Sequence, residues 1–302
     1  MNNTSSRALS VKFDRSKTLW VSHPHPRYPT ISITGDHCDL NCAHCEGRYL
    51  EGMISVKNQG ELYEACTRLA SNGSRGVLLS GGYNSEGYVP FESFVNSIRK
   101  VKEETNLFIS IHSGLMPPAL VSQLATAGVD AVDFDLIGDD ETIRLILGIQ
   151  KTPEDYIQTL ENLANMIPHV APHICLGLHE GEFRGEWRAL KLAGKVDISA
   201  LVFLILNPTL GTPFEKVIPP APNEVGGFIA EARVKFPDIP LALGCMRPHG
   251  EKRSKYEIQA LRAGVDRIEL PTLETLEAAR ELGLEPRRLE ACCAVPEEML
   301  EG

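Results

Sequence analysis

The sequence predicts an α/β fold: a parallel (β/α)8 barrel of the TIM type, built as one domain. Three observations lead there. Short runs rich in Val, Ile and Leu recur eight times, each followed by a helical pattern. The runs are apolar on both faces, as strands covered on both sides by helices are. Helices that end at Gly128 and Gly264 lead straight into the next run, with Gly as a left-handed C-cap. Serial βα units with no antiparallel break favour a closed barrel over a doubly wound open sheet.

The elements follow in order. Residues 31–34 form the first strand, and a helix covers 60–72. The second strand, 76–80, closes on Gly81-Gly82. A helix over 91–104 places Phe94, Ile98 and Val101 on one stripe. Strand three is 107–111, with a short helix over 118–127. Strand four is 130–137, followed by helical pieces at 139–147 and 153–166. Strand five is 170–178 with a helix at 185–193, and strand six is 198–206 with a helix at 223–236. Strand seven is 240–244 with a helix at 254–263, and strand eight is 265–270 with a helix at 273–282. This leaves a lead-in over 1–29, a barrel over 30–284 and a tail over 285–302.

The chain has 302 residues, which suggests two domains by length alone, but the repeat has no linker and argues for one. Apolar residues make up 43% and charged residues 23%, which excludes disordered and fibrous classes. The net charge of −10 argues against nucleic acid and against a polybasic membrane contact. No signal peptide or membrane span is legible, so the expected home is the cytoplasm. Thiols stay reduced there, and clustered cysteines are metal ligands or catalysts more often than disulfides.

Of the eight cysteines, three lie in one loop after the first strand: Cys38, Cys42 and Cys45, spaced C-x3-C-x2-C. Three thiolates on so short a loop can converge on one soft metal site. The site is either zinc, closed by His37 or His44, or a cubane held by three thiolates with one iron open. Barrel loops at the C-terminal ends of strands are where catalytic groups belong.

This motif resembles that of the radical S-adenosylmethionine superfamily. His44 stands where that family usually has an aromatic residue. Ser80-Gly81-Gly82 matches its Gly-Gly segment, with Tyr83 in place of the usual Glu. The resemblance implies a [4Fe–4S] cluster on Cys38, Cys42 and Cys45, with S-adenosylmethionine on the open iron. It also implies an electron from a ferredoxin or flavodoxin, and a 5′-deoxyadenosyl radical that attacks a C–H bond. Gly81, Gly82, Tyr83, Asp135, His173 and Glu180 are the implied cofactor-binding residues.

Later segments resemble the biotin synthase and lipoyl synthase branch. They are 133–138 with Glu141-Thr142-Ile143, then 173–181, then Gly211-Thr212-Pro213. Cys245, with Arg247 two residues on, ends strand seven, where biotin synthase has an arginine ligand to a second cluster. Cys292 and Cys293 lie in the tail. If the tail folds back, Cys245, Cys292 and Cys293 hold a second iron–sulfur cluster, although adjacent side chains tend to diverge. Cys66 and Cys175 read as packing residues. The combination resembles the small component of the two-component lipoyl synthases. That implies sulfur insertion into an octanoyl chain on a lipoyl carrier domain, with a second radical S-adenosylmethionine protein as partner. The alternatives are biotin-synthase-related cofactor synthesis and a non-catalytic metal-binding barrel.

Overall fold

The computed structural model describes residues 3–300. The chain opens with α1 (Asn3–Arg15) and β1 (Thr18–Ser22). Next come β2 (Thr30–Ser32), β3 (Ile54–Ser55), α2 (Gln59–Ser71), β4 (Gly76–Ser80) and α3 (Val95–Glu104). They are followed by β5 (Phe108–His112), α4 (Pro118–Thr126), β6 (Ala131–Asp135), the single turn α5 (Asp140–Thr142) and α6 (Pro153–Met166). Then come β7 (His169–Leu176), α7 (Glu186–Ala193), β8 (Leu201–Ile205), α8 (Pro222–Lys235) and β9 (Leu241–Leu243). The series closes with α9 (Arg253–Arg262), β10 (Arg267–Glu269), α10 (Leu273–Glu281) and β11 (Glu285–Leu289).

All eleven strands join one sheet, in the order β11-β1-β10-β9-β8-β7-β6-β5-β4-β2-β3. Every pairing is parallel. The run from β2 through β4 to β10 is the predicted eight-unit series, so the α/β class and its parallel order hold. Local chemistry explains the helix starts. Asn58 caps α2 by accepting from Glu61 N at 3.0 Å. Thr152 and Asp155 form a reciprocal capping box on α6, with Pro153 at its first turn. Gly128 and Gly264 take left-handed φ values of 90° and 83° at the helix-to-strand turns, as their positions predicted.

The lead-in and the tail each add a strand to the sheet outside the eight-unit series, β1 and β11. β1 lies between β10 and β11, pairing Val21 with Ile268 on one side and with Arg288 on the other. The strand β11 reads Glu-Pro-Arg-Arg-Leu, too polar to signal a strand, because it is an edge and faces water. Among the described residues no pairing joins β3 to β11, so the sheet curls without closing there.

A buried ion cluster ties the lead-in to the barrel. Asp266, just before β10, accepts from Arg233 of α8, from Leu241 N at 2.9 Å and from Lys12 of α1 at 3.1 Å. Burial would raise the Asp266 carboxyl, but Arg233 and Lys12 outweigh it and hold it below the usual carboxylate range.

The tail after β11 turns into the concave side of the sheet. Phe203 packs edge-on against Phe228 of α8, so Val202 faces the concave side by strand alternation. Cys293 and Ala294 pack there, against Ala171, Ala200, Val202 and Ala242. The small inner side chains leave the space that the tail fills. Arg267 is 1% exposed and clamps the tail by donating to Cys293 O at 3.0 Å and to Val295 O. Ser22 Oγ donates to Ala291 O.

Asp266→Ala leaves Lys12 and Arg233 buried without a counter-charge. Urea unfolding should show a loss of about 3–5 kcal/mol at pH 7. The folded-state carboxyl is depressed, so the cluster's contribution is present above the unfolded value, near 3.9. It fades as pH falls through the lower folded value, so the wild type should lose its advantage over Asp266→Ala in acid.

Candidate functional site

The loop from β2 to β3 carries the three cysteines over the C-terminal ends of the strands. Its path depends on a close approach of two backbones. A Cβ at Gly82 would collide with the His37 carbonyl and lie 2.6 Å from Cys38 Cα and Cβ. Only glycine lets the end of β4 lie against the loop. Thr34 stitches the two segments. Its Oγ1 accepts from Gly82 N at 2.7 Å and donates to His37 O at 2.9 Å. Asp39 N donates to Tyr83 O at 2.8 Å. Cys45 N and Glu46 N both donate to Cys42 O, at 3.0 and 2.8 Å, turning Cys42 and Cys45 toward one another. Asn41, Glu46 and Gly47 take positive φ, which lets the loop reverse within a few residues.

The Cys42 and Cys45 side chains are within hydrogen-bonding reach of one another. The Cys42 hydrogen bond and the neighbouring His44 hold Cys45 down at about 4, while that same bond and burial push Cys42 up. Among the described residues, no three of Cys38, Cys42, Cys45, His37 and His44 bring their ligand atoms within 4.8 Å of one another. That spacing does not suit one zinc ion closed by a histidine. It suits a larger object that bridges separated thiolates. His44 Nδ1 is buried with no hydrogen-bond partner, so the loop also keeps an unsatisfied polar atom beside the thiols. The His44 ring packs near Tyr49 and Phe214, at centroid distances of 6.0 and 6.4 Å. The residues fit an iron–sulfur cluster on Cys38, Cys42 and Cys45.

Beneath the loop lies a cavity of about 170 Å³. Cys38, Cys42, Cys45, Gly81, Gly82, Tyr83, Asp135 and His173 all line it. So do His112, Tyr156, Cys175 and Met246. Parallel register brings the polar group together. His112 pairs with Asp133 across β5 and β6, and Asp135 pairs with His173 across β6 and β7. His112 Nε2 lies 3.2 Å from Asp135 Oδ2, and Tyr83 Oη donates to the same oxygen at 3.4 Å. Burial would raise Asp135, but His112 and His173 hold it down at about 2. Burial would lower His112, but Asp135 and Asp133 raise it. Each group thus favours the charged form of the other at the cavity wall.

Other sequence-based assignments need correction. Glu180 sits at φ 51° in an exposed turn and is absent from the cavity wall. Arg247 is buried but turned away. It donates to Glu257 at 2.9 and 2.8 Å and to Gly244 O at 2.6 Å. Cys175 packs against the core, as expected, and also lines the cavity, and Cys66 is buried on α2 as expected. Cys245, Cys292 and Cys293, like the three loop cysteines, do not bring their ligand atoms within 4.8 Å of one another. Glu269, Cys292 and Cys293 have ligand atoms within 4.8 Å of one another, and Cys245 lies outside that set. A turn at 292–295, with Val295 N donating to Cys292 O at 3.4 Å, overcomes the divergence of adjacent side chains. Glu269 carried a signal in the sequence: it is an acid at the end of an otherwise buried strand.

The profile of the Radical SAM superfamily matches residues 32–193, just over half of the chain. The chain belongs to the radical SAM superfamily. Its curated relatives include biotin synthases. The one from Syntrophotalea carbinolica is 26% identical over 217 residues, covering 69% of this chain and 64% of the relative. That from Clostridium acetobutylicum is 25% identical over 215 residues, covering 69% and 65%. The aligned regions thus span just under two thirds of these relatives' own lengths. Among solved structures, methylornithine synthase superposes with a TM-score of 0.64 at 18% identity, covering 94% of this chain and 88% of that one. An [FeFe]-hydrogenase maturase gives 0.68 at 13% identity, covering 94% and 68%. These likenesses show that the chain shares its fold with those two proteins. Among the described residues, no helix is long and apolar enough to cross a membrane.

Anaerobic reconstitution of Cys38→Ala, Cys42→Ala or Cys45→Ala should cost about four irons per chain, read by iron and sulfide assay. Gly82→Ala should show the same loss with all three thiols intact, because the new methyl group displaces the loop. In Asp135→Asn, His112 loses the largest of the charges that offset its burial, and only Asp133 still opposes it. Its ring protons, followed by NMR, should then titrate at lower pH than in the wild type.

Proposed function

We propose that the protein is a radical S-adenosylmethionine enzyme that inserts sulfur into an octanoyl-type chain on a lipoyl carrier domain. On this reading it is one component of a two-component lipoyl synthase. The observation that carries the reading is the cavity itself: three loop thiols face a polar His112–Asp135–His173 wall at the C-terminal ends of the strands. When bound, the cluster and S-adenosylmethionine supply the 5′-deoxyadenosyl radical that removes a hydrogen atom from unactivated carbon.

The chain's own residues hold and enclose. Gly81 and Gly82 leave room for the nucleotide's amino acid end against the backbone. Tyr83, Asp135 and His173 supply polar contacts, and His112, 3.2 Å from Asp135, orients that carboxylate. Leu136, Ile137, Leu147, Leu178 and Met246 line the rest of the cavity and suit an alkyl chain while excluding water. Sulfur insertion also needs a sulfur source. The tail cysteines Cys292 and Cys293 would hold a second iron–sulfur centre, which would supply the sulfur. The electron comes from a ferredoxin or flavodoxin, and a second radical S-adenosylmethionine protein completes the pair. The eight cysteines are all free, which suits a reducing, cytoplasmic setting.

The biotin synthase relatives favour a second reading, sulfur insertion into a free cofactor precursor. The two are separated by substrate. Anaerobic enzyme with S-adenosylmethionine and a strong reductant should release 5′-deoxyadenosine and raise the mass of an octanoylated carrier peptide by one or two sulfurs. Turnover of dethiobiotin with an unchanged peptide would select the second reading. No 5′-deoxyadenosine with any substrate would reject both.

A further inference from the structure

We propose that Glu269, Cys292 and Cys293 bind a second metal centre inside the curled sheet, with the Glu269 carboxylate in the place of a third thiolate. The assignment rests on the second centre of the reading above and names its ligands. Three features carry it.

The first is geometry. The three ligand atoms lie within 4.8 Å of one another, close enough for one ion as they stand. The second is charge. Glu269 is 8% exposed, and among the described residues its carboxylate is in no ion pair. Arg247, the nearby cation, is spent on Glu257 and on backbone carbonyls. Asp266 and Glu257, equally deep, have Arg233 and Arg247 as partners. A buried carboxylate needs such a cation, and a metal ion would be one. The third is rigidity. Arg267 and Ser22 pin the carbonyls of Ala291, Cys293 and Val295, so the thiols are held in place by buried bonds on both sides. Two thiolates select a thiophilic metal such as iron or zinc, and a carboxylate oxygen is an accepted companion ligand for either. Cys245 is not a ligand in this arrangement.

The probe is Co2+ added anaerobically to the full chain carrying Cys38→Ala, Cys42→Ala and Cys45→Ala, so that the loop thiols are silent. The expected result is one bound equivalent with thiolate-to-cobalt charge-transfer absorption. Cys292→Ser with Cys293→Ser should abolish the band, and Cys245→Ala should leave it intact. Glu269→Gln should keep a thiolate band but weaken Co2+ about tenfold or more, and Glu269→Asp should recover part of that loss. No thiolate band in the parent chain would overturn the proposal. So would equal affinity in the parent and Glu269→Gln, or in Glu269→Gln and Glu269→Asp. Iron and sulfide assays on the same parent then tell a single iron from a cluster. In either form, weaker iron retention in Glu269→Gln than in the parent under chelator challenge supports the ligand set, and equal retention overturns it. Formation of 5′-deoxyadenosine by the wild type tests the radical reading separately.

Discussion

The contact on which the active site depends is the approach of the Gly82 backbone to His37 and Cys38. A side chain at Gly82 would occupy the space that the loop already fills. The Gly82 N–H is spent on Thr34, and Thr34 in turn holds the His37 carbonyl. The cysteine loop is therefore built onto the end of the second strand of the repeat. Cavity, thiols and polar wall then follow from strand register, because parallel neighbours end at the same level.

Buried charge is distributed with a clear division of labour. At the N-terminal side of the sheet, Asp266, Arg233 and Lys12 neutralise one another and weld α1, α8 and β10 together. Near the C-terminal ends of β9 and β10, Arg247 and Glu257 do the same. Along the cavity wall the pairing is looser. His112 and Asp135 face each other while keeping roughly a third of their surface open. Closed pairs rigidify the frame, and the half-open pair remains able to meet a ligand. Glu269 fits neither pattern, since it is buried like the first group but lacks a cation.

The interior of the curled sheet is filled in part by the chain's own tail. Ala171, Ala200 and Ala242 keep the concave side shallow, and the tail occupies the space above them. Two cysteines thereby reach the inside of the sheet from the end of the chain. Cys175 and Cys245 approach the same interior from the strands, and Cys175 opens on the cavity. Sulfur is thus present on more than one wall, while the cluster loop supplies the entrance.

The eight-unit parallel series, the cysteine loop and the glycines at its foot were legible in the sequence, because each is written in local patterns. Apolar runs specify strands, C-x3-C-x2-C specifies a ligand loop, and Gly81-Gly82 marks a turn without side chains. His112, Asp135 and His173 could be named as strand-end groups. That His112 and Asp135 form an ion pair came only from register between strands. The tertiary structure alone decided the fate of the two ends. β1 and β11 are short or polar, and their partners lie more than two hundred residues away. It also decided which groups meet the tail thiols. Arg267 and Ser22 seat the turn at 292–295 so that its thiols lie beside Glu269, a neighbour that cysteine spacing does not reveal. Long-range contacts of this kind leave no periodic trace. They are set by which inner side chains are small enough to admit the chain and by where buried donors hold its carbonyls.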